Sequence, residues 1–110
     1  MENVPSQGAP LIDLDLYRTF FTIAETSSFT KASELVGRTP SAVSMQIKKL
    51  ETILGVAVFS REGRAVRMTP EGEALLGYAR RILKLNEEAV SLFRSPDVEG
   101  EVRFGAPSDF

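Results

Sequence analysis

Gly37-Arg38-Thr39-Pro40 constrains this chain more than any other four residues. Glycine enters the left-handed conformation that ends a helix without the strain a Cβ would bring. Two residues on, Thr39 is a natural N-cap, and Pro40 falls at the first helical position, where its missing N–H leaves nothing unsatisfied. One helix must stop and another must start within a tight turn. Thr30 reads as the N-cap of the first, with Lys31 to Val36 as its body. The second continues to Leu54 and stops at Gly55. Helix, short glycine turn, helix is the layout that places one helix in a DNA major groove.

The second helix has two unlike sides. Val43, Ile47, Leu50 and Leu54 follow helical spacing and line one apolar stripe. Ser41, Met45, Lys48 and Thr52 fall opposite, flanked by Ser44 and Lys49, while Glu51 lies toward the core edge. Small hydroxyl residues let a helix approach base edges closely, and lysines neutralise phosphates.

The surrounding chain supports that arrangement. Met1 to Pro10 has little to bury and reads, through residue 12, as a mobile tail. Asp13 or Asp15 starts a first helix to about Glu25, with Leu16, Phe20 and Ile23 as its buried stripe and Ala24 beside it. Leu14 and Phe21 form a second apolar side, which implies two neighbours for this helix. Thr26, Ser27 and Ser28 make the turn, and Phe29 anchors the motif to the core. After Gly55, Val56 to Ser60 and Ala65 to Met68 have strand character around the turn Arg61-Glu62-Gly63-Arg64. A basic hairpin directly behind a helix-turn-helix is a wing, so residues 13–69 form one winged domain. Arg61, Arg64 and Arg67 are its candidates for phosphate or minor-groove contact, and Arg38, in the turn before the second helix, is a further DNA-binding candidate.

Thr69-Pro70-Glu71 repeats the cap of Thr39-Pro40 and opens a long helix over residues 70–94. Leu75, Ala79, Ile82, Asn86, Ala89 and Phe93 recur at alternating spacings of four and three, a heptad seam, with Leu76, Leu83 and Val90 as a parallel stripe. At about 1.5 Å per residue the helix is about 35 Å long, more apolar surface than one small domain covers. The seam therefore reads as a dimerisation surface, with Asn86 as a register-fixing polar residue. Arg94 to Gly100 has linker composition, and Glu101 to Ala106 begins a strand that has no partner, so residues 95–110 read as a hinge and the first strand of a truncated second domain.

Charge is uneven along the chain. The net charge is −2, yet between Thr30 and Pro70 seven basic residues face three acids, a local +4. A basic middle between acidic ends favours an anionic partner there. The chain has no cysteine and no histidine. Thiol and Ser–His nucleophiles are thus excluded, and metal sites are reduced to carboxylates alone, so no cofactor and no enzymatic activity are expected. Glu87 and Glu88 are sequence neighbours and point apart on a helix, so they make no acid–base pair. There is no glycine-rich phosphate loop and no run long enough to span a bilayer, and residues 1–12 lack the basic-then-apolar form of a signal peptide.

Residues 13 to 93 resemble the N-terminal domain of LysR-type transcriptional regulators of bacteria. The specific parts are SFTKASELVGRTPSAVSMQIKKLE, the LGVAVFSR that follows, and the MTPEG that opens the long helix. GEVRFGAPSDF resembles the first strand of that family's effector-binding domain. The resemblance implies a mainly α winged helix-turn-helix with a linker helix that pairs two subunits, and tetramers in the full-length protein. It further implies a partly palindromic duplex operator, a small-molecule effector sensed only by the missing domain, and a cytoplasmic, nucleoid-associated bacterial protein. By position, Thr39, Pro40, Ser41, Ser44 and Met45 fall at the base-reading end, Thr30 and Lys31 at the phosphate-facing helix start, and Arg61 and Arg64 on the wing. Many members have glutamine at the position of Pro40 and arginine at that of Met45, so heavier use of DNA shape and of wing arginines in an A·T-rich minor groove is expected. Two alternatives remain open from the residues: a winged-helix assembly module with an incidental basic face, and a domain like that of molybdate-responsive regulators.

Overall fold

The computed structural model describes residues 8–60 and 65–94. The expectations for the start of the tail, for the hairpin turn with Arg61 and Arg64, and for residues 95–110 lie outside the described residues. The elements are α1 (Leu14–Thr26), α2 (Phe29–Val36), α3 (Pro40–Leu54), β1 (Phe59–Ser60), β2 (Arg67–Met68) and α4 (Pro70–Arg94). The chain divides into two compact units, Met1–Ala79 and Arg80–Phe110. Among the described residues no helix is long and apolar enough to cross a membrane.

The core of the first unit follows the helical stripes. Leu16, Phe20 and Ile23 of α1 meet Ala32 of α2 and Val43, Ile47 and Leu50 of α3, with Val58, Phe59 and Ala79 closing the cluster. Fully burying each large apolar side chain contributes about 1.5–3 kcal/mol. Phe59 fixes the hairpin to this core through two aromatic neighbours. Its ring centroid lies 5.4 Å from that of Phe20 and 5.7 Å from that of Phe29, both within the favourable range for tilted rings. On the second apolar side of α1, Leu14 stays exposed and Phe21 is half-buried.

The caps agree with the sequence except at one end. Gly37 and Gly55 both take positive φ, +73° and +76°. Thr39 Oγ1 accepts the Ala42 N–H at 3.1 Å, and Thr69 Oγ1 accepts the Gly72 N–H at 3.0 Å. The start of α2 is corrected: its N-cap is Ser28, not Thr30. Ser28 has extended backbone, φ −153° and ψ 124°, and its Oγ accepts the Lys31 N–H at 3.0 Å. Helix formation thus begins two residues earlier than expected, because Ser27 turns the chain with φ +55° and leaves Ser28 in the capping position.

The hairpin is shorter than its strand-forming residues suggest. β1 and β2 pair antiparallel with Phe59 opposite Met68 and Ser60 opposite Arg67. Val56, Ala57 and Val58 lie outside β1, and side chains take one backbone group each of Ala57 and Val58, while the Val58 carbonyl still meets Thr69 in the register of the hairpin. Glu51 Oε2 accepts the Val58 N–H at 2.8 Å, Val58 O accepts the Thr69 N–H at 3.1 Å, and Ala57 O accepts the Thr69 hydroxyl at 2.7 Å. The first turn of α4 approaches the same loop so closely that a Cβ on Gly72 would stand 2.2 Å from Val58 O.

Candidate nucleic-acid interface

α3 is the only described helix with one side wholly buried and the other lined by hydroxyls and lysines. Val43, Ile47 and Leu50 are buried. Pro40, Ser41, Met45, Lys48, Lys49 and Thr52 are exposed, and Met45 keeps 70 % of its surface. Ser44 is half-buried. With Ile47, Lys48, Glu51 and Phe59 it lines a pocket of about 400 Å³ between α3 and the hairpin. Thr39 is exposed, but its hydroxyl is engaged as the cap.

The other candidates lie on elements around this helix. Thr30 and Lys31 are exposed in the first turn of α2, at the positive end of the helix dipole. Arg67 is exposed on β2. The first unit therefore carries cations on α2, on α3 and on the return strand. No described group of three or more acidic, histidine or cysteine side chains forms a metal site.

Arg38 has a role that the sequence did not reveal. Its guanidinium pairs with the Asp15 carboxylate of α1. Asp15 Oδ2 also accepts from Gln46 Nε2 at 3.2 Å, and Asp15 Oδ1 accepts from Arg18 at 3.4 Å. Gln46 Oε1 in turn accepts from the fully buried Thr19 hydroxyl at 2.8 Å. The network joins α1, the turn and α3. Its ion pair is partly solvated, with Arg38 and Asp15 side chains 42 % and 35 % exposed, so it is worth no more than about 1 kcal/mol. Asp15 signals only a helix start in the sequence, and a partner 31 residues away leaves no local pattern.

Glu51, at the core edge of α3, also has a role that the sequence did not reveal. From the edge of α3 it accepts the Val58 N–H at 2.8 Å and the Phe59 N–H at 3.4 Å. The carboxylate thereby sets the hairpin against α3.

On α4 the candidate seam is uneven. Ala79 is fully buried in the chain's own core and Leu75 is half-buried against it. In the second unit Ile82 is half-buried, while Asn86, Ala89 and Phe93 are exposed, Phe93 at 79 %. Leu85, Val90 and Leu92 are exposed as well.

Three helices, the last carrying an open polar face, followed by a two-stranded antiparallel sheet define a winged helix-turn-helix. The model for bacterial regulatory helix-turn-helix proteins of the lysR family matches residues 14–73, and the chain belongs to that family. It is 43% identical over 98 residues to the HTH-type transcriptional regulator PecT of Dickeya dadantii, covering 89% of this chain and 31% of PecT. It is 42% identical over 99 residues to the HTH-type transcriptional regulator DgdR of Burkholderia cepacia, covering 90% of this chain and 34% of DgdR. The chain thus spans about a third of the length of these curated relatives. Among solved structures it is similar to BenM_DBD in complex with benA site 1 DNA. That match has a TM-score of 0.70 at 35% identity and covers 73% of this chain and 90% of the other.

Proposed function

We propose that this chain is the sequence-specific duplex-DNA-binding part of a transcriptional regulator and that it acts as a homodimer. One observation carries the reading. α3 presents Ser41, Met45, Lys48 and Lys49 to solvent along one side while its other side is closed by the core, so this helix is free to enter a groove without any unfolding. Membership of a family of regulators, and the likeness to a domain solved on DNA, support the same reading.

In this reading the first turns of α3 enter the major groove, with Thr39, Pro40, Ser41, Ser44 and Met45 nearest the base edges. Thr30, Lys31, Lys48 and Lys49 neutralise phosphates. The wing, with Arg61, Arg64 and Arg67, reaches an adjacent, narrow and A·T-rich minor groove. Arg38 contributes less than its charge suggests, because Asp15 already partners it. Pairing through the second unit, using Ile82, Ala89 and Phe93 around Asn86, presents two copies of α3 to two half-sites. The operator is then partly palindromic, with half-sites about 34–36 Å apart or a multiple of that.

The test is selection of binding sites from a randomised duplex pool, followed by fluorescence anisotropy across a salt series. The expected result is a partly palindromic site whose affinity falls with salt at a log–log slope of about −0.9 per phosphate contact. A folded sample with no duplex affinity at low ionic strength refutes the proposal.

A further inference from the structure

We propose that Met45 reads the 5-methyl group of thymine in the major groove, an inference that rests on the DNA-binding reading above. Beside Met45 the surface of α3 forms an open, mainly apolar notch lined by Ser41, Ala42, Met45, Gln46 and Lys49. A large apolar side chain that is 70 % exposed on a face of hydroxyls and lysines does nothing for the core. It belongs to none of the packed clusters of the first unit.

The polar groups that would otherwise read bases near the notch are engaged within the chain. A glutamine amide pairs with adenine through both its oxygen and its nitrogen. In Gln46 both atoms already serve partners within the chain, since Oε1 accepts from Thr19 at 2.8 Å and Nε2 donates to Asp15 at 3.2 Å. An arginine fork reads guanine, but Arg38 is paired with Asp15. Lys48 and Lys49 are exposed point charges suited to phosphates on either side. Besides the small Ser41 hydroxyl, what remains at the notch is apolar contact, and the thymine methyl is the apolar group that the major groove displays. The flanking lysines select a polyanion as occupant, and the flexible thioether adapts to the irregular edge of a base pair.

The probe is the 110-residue chain with its selected operator, in which each thymine is replaced singly by deoxyuridine. That exchange removes one methyl and leaves every hydrogen-bonding edge unchanged. At about the transfer value of one buried methylene, one thymine per half-site should weaken binding about fourfold on losing its methyl. The effect should vanish in Met45→Ala and persist in Met45→Leu, both of which alter only an exposed position. The salt slope should be the same for all three proteins, since no phosphate contact changes. If binding is intact but no thymine is sensitive, or if Met45→Ala keeps the sensitivity, Met45 is not the reader and only this inference falls. If no duplex binds at all, the DNA-binding reading falls with it.

Discussion

Glu51→Ala isolates one interaction that the sequence hides and the fold depends on. Val58 is fully buried, and the Glu51 carboxylate accepts its N–H at 2.8 Å. A hydrogen bond to a charged group is worth about 1.5–3 kcal/mol, and a buried donor left without an acceptor costs about 1–3 kcal/mol. The Phe59 N–H at 3.4 Å is too long to add much. Alanine returns less than about 0.5 kcal/mol as the better helix former. The net expectation is a loss of about 2 kcal/mol, a large share of the roughly 5–15 kcal/mol that holds a domain folded. For a domain of this size that lowers Tm by roughly 8–16 °C. Urea and thermal unfolding followed by circular dichroism measure it, at one protein concentration so that self-association is held constant. Glu51→Gln keeps a neutral acceptor oxygen and should lose about half as much. The reasoning is refuted if Glu51→Ala stays within about 0.5 kcal/mol of the parent, well below the cost of an orphaned buried donor. Equal losses in the two variants would show that the acceptor is not the cause.

Gly72→Ala should destabilise by about 2 kcal/mol or more, because its Cβ would stand 2.2 Å from the backbone oxygen of Val58. Gly77→Ala, with nothing within 4 Å of the added Cβ, should be neutral or stabilising by up to about 1 kcal/mol, and the same urea titrations compare the two. Lys31→Ala and Lys48→Ala should each weaken binding to all duplexes alike and make the salt slope shallower by about 0.9; an unchanged slope removes that lysine from the phosphate contacts. Phe93→Asp should shift the chain toward monomer in sedimentation velocity while leaving the far-ultraviolet circular dichroism intact, since Phe93 is 79 % exposed in the single chain.

What was legible in the sequence was whatever local chemistry determines. Gly37, Thr39, Pro40 and Gly55 mark their helix ends because each acts through its own backbone conformation or a hydrogen bond three residues away. The stripe of Val43, Ile47 and Leu50 is legible because burial repeats with the helical period. The misplaced cap shows the limit of local signals. Ser28 and Thr30 both have hydroxyls suited to capping α2, and the left-handed Ser27 decides between them. The hairpin failed for a second reason. Val56 to Val58 have strand-forming side chains, but the Val58 N–H goes to the Glu51 carboxylate of α3 and the Ala57 carbonyl to the Thr69 hydroxyl. The links from Asp15 and Thr19 to Arg38 and Gln46 were invisible for the same cause, being pairs 23 to 31 residues apart.

Those long-range polar contacts bear directly on recognition. An apolar stripe decides which side of α3 is inward, but oily side chains tolerate some rotation of the helix about its axis. Gln46 tethers the first half of α3 to α1 through Asp15 and Thr19, and Glu51 tethers its second half to the hairpin. Two directional contacts on one helix fix its roll as well as its position. That matters because neighbouring residues are about 100° apart around a helix, and a functional constellation must be held to about 10–20°. A helix with loose tethers would present Ser41 and Met45 to a base pair in one molecule and miss it in the next. Gln46 and Glu51 thus act as the supports that aim Ser41, Met45 and Lys48 outward.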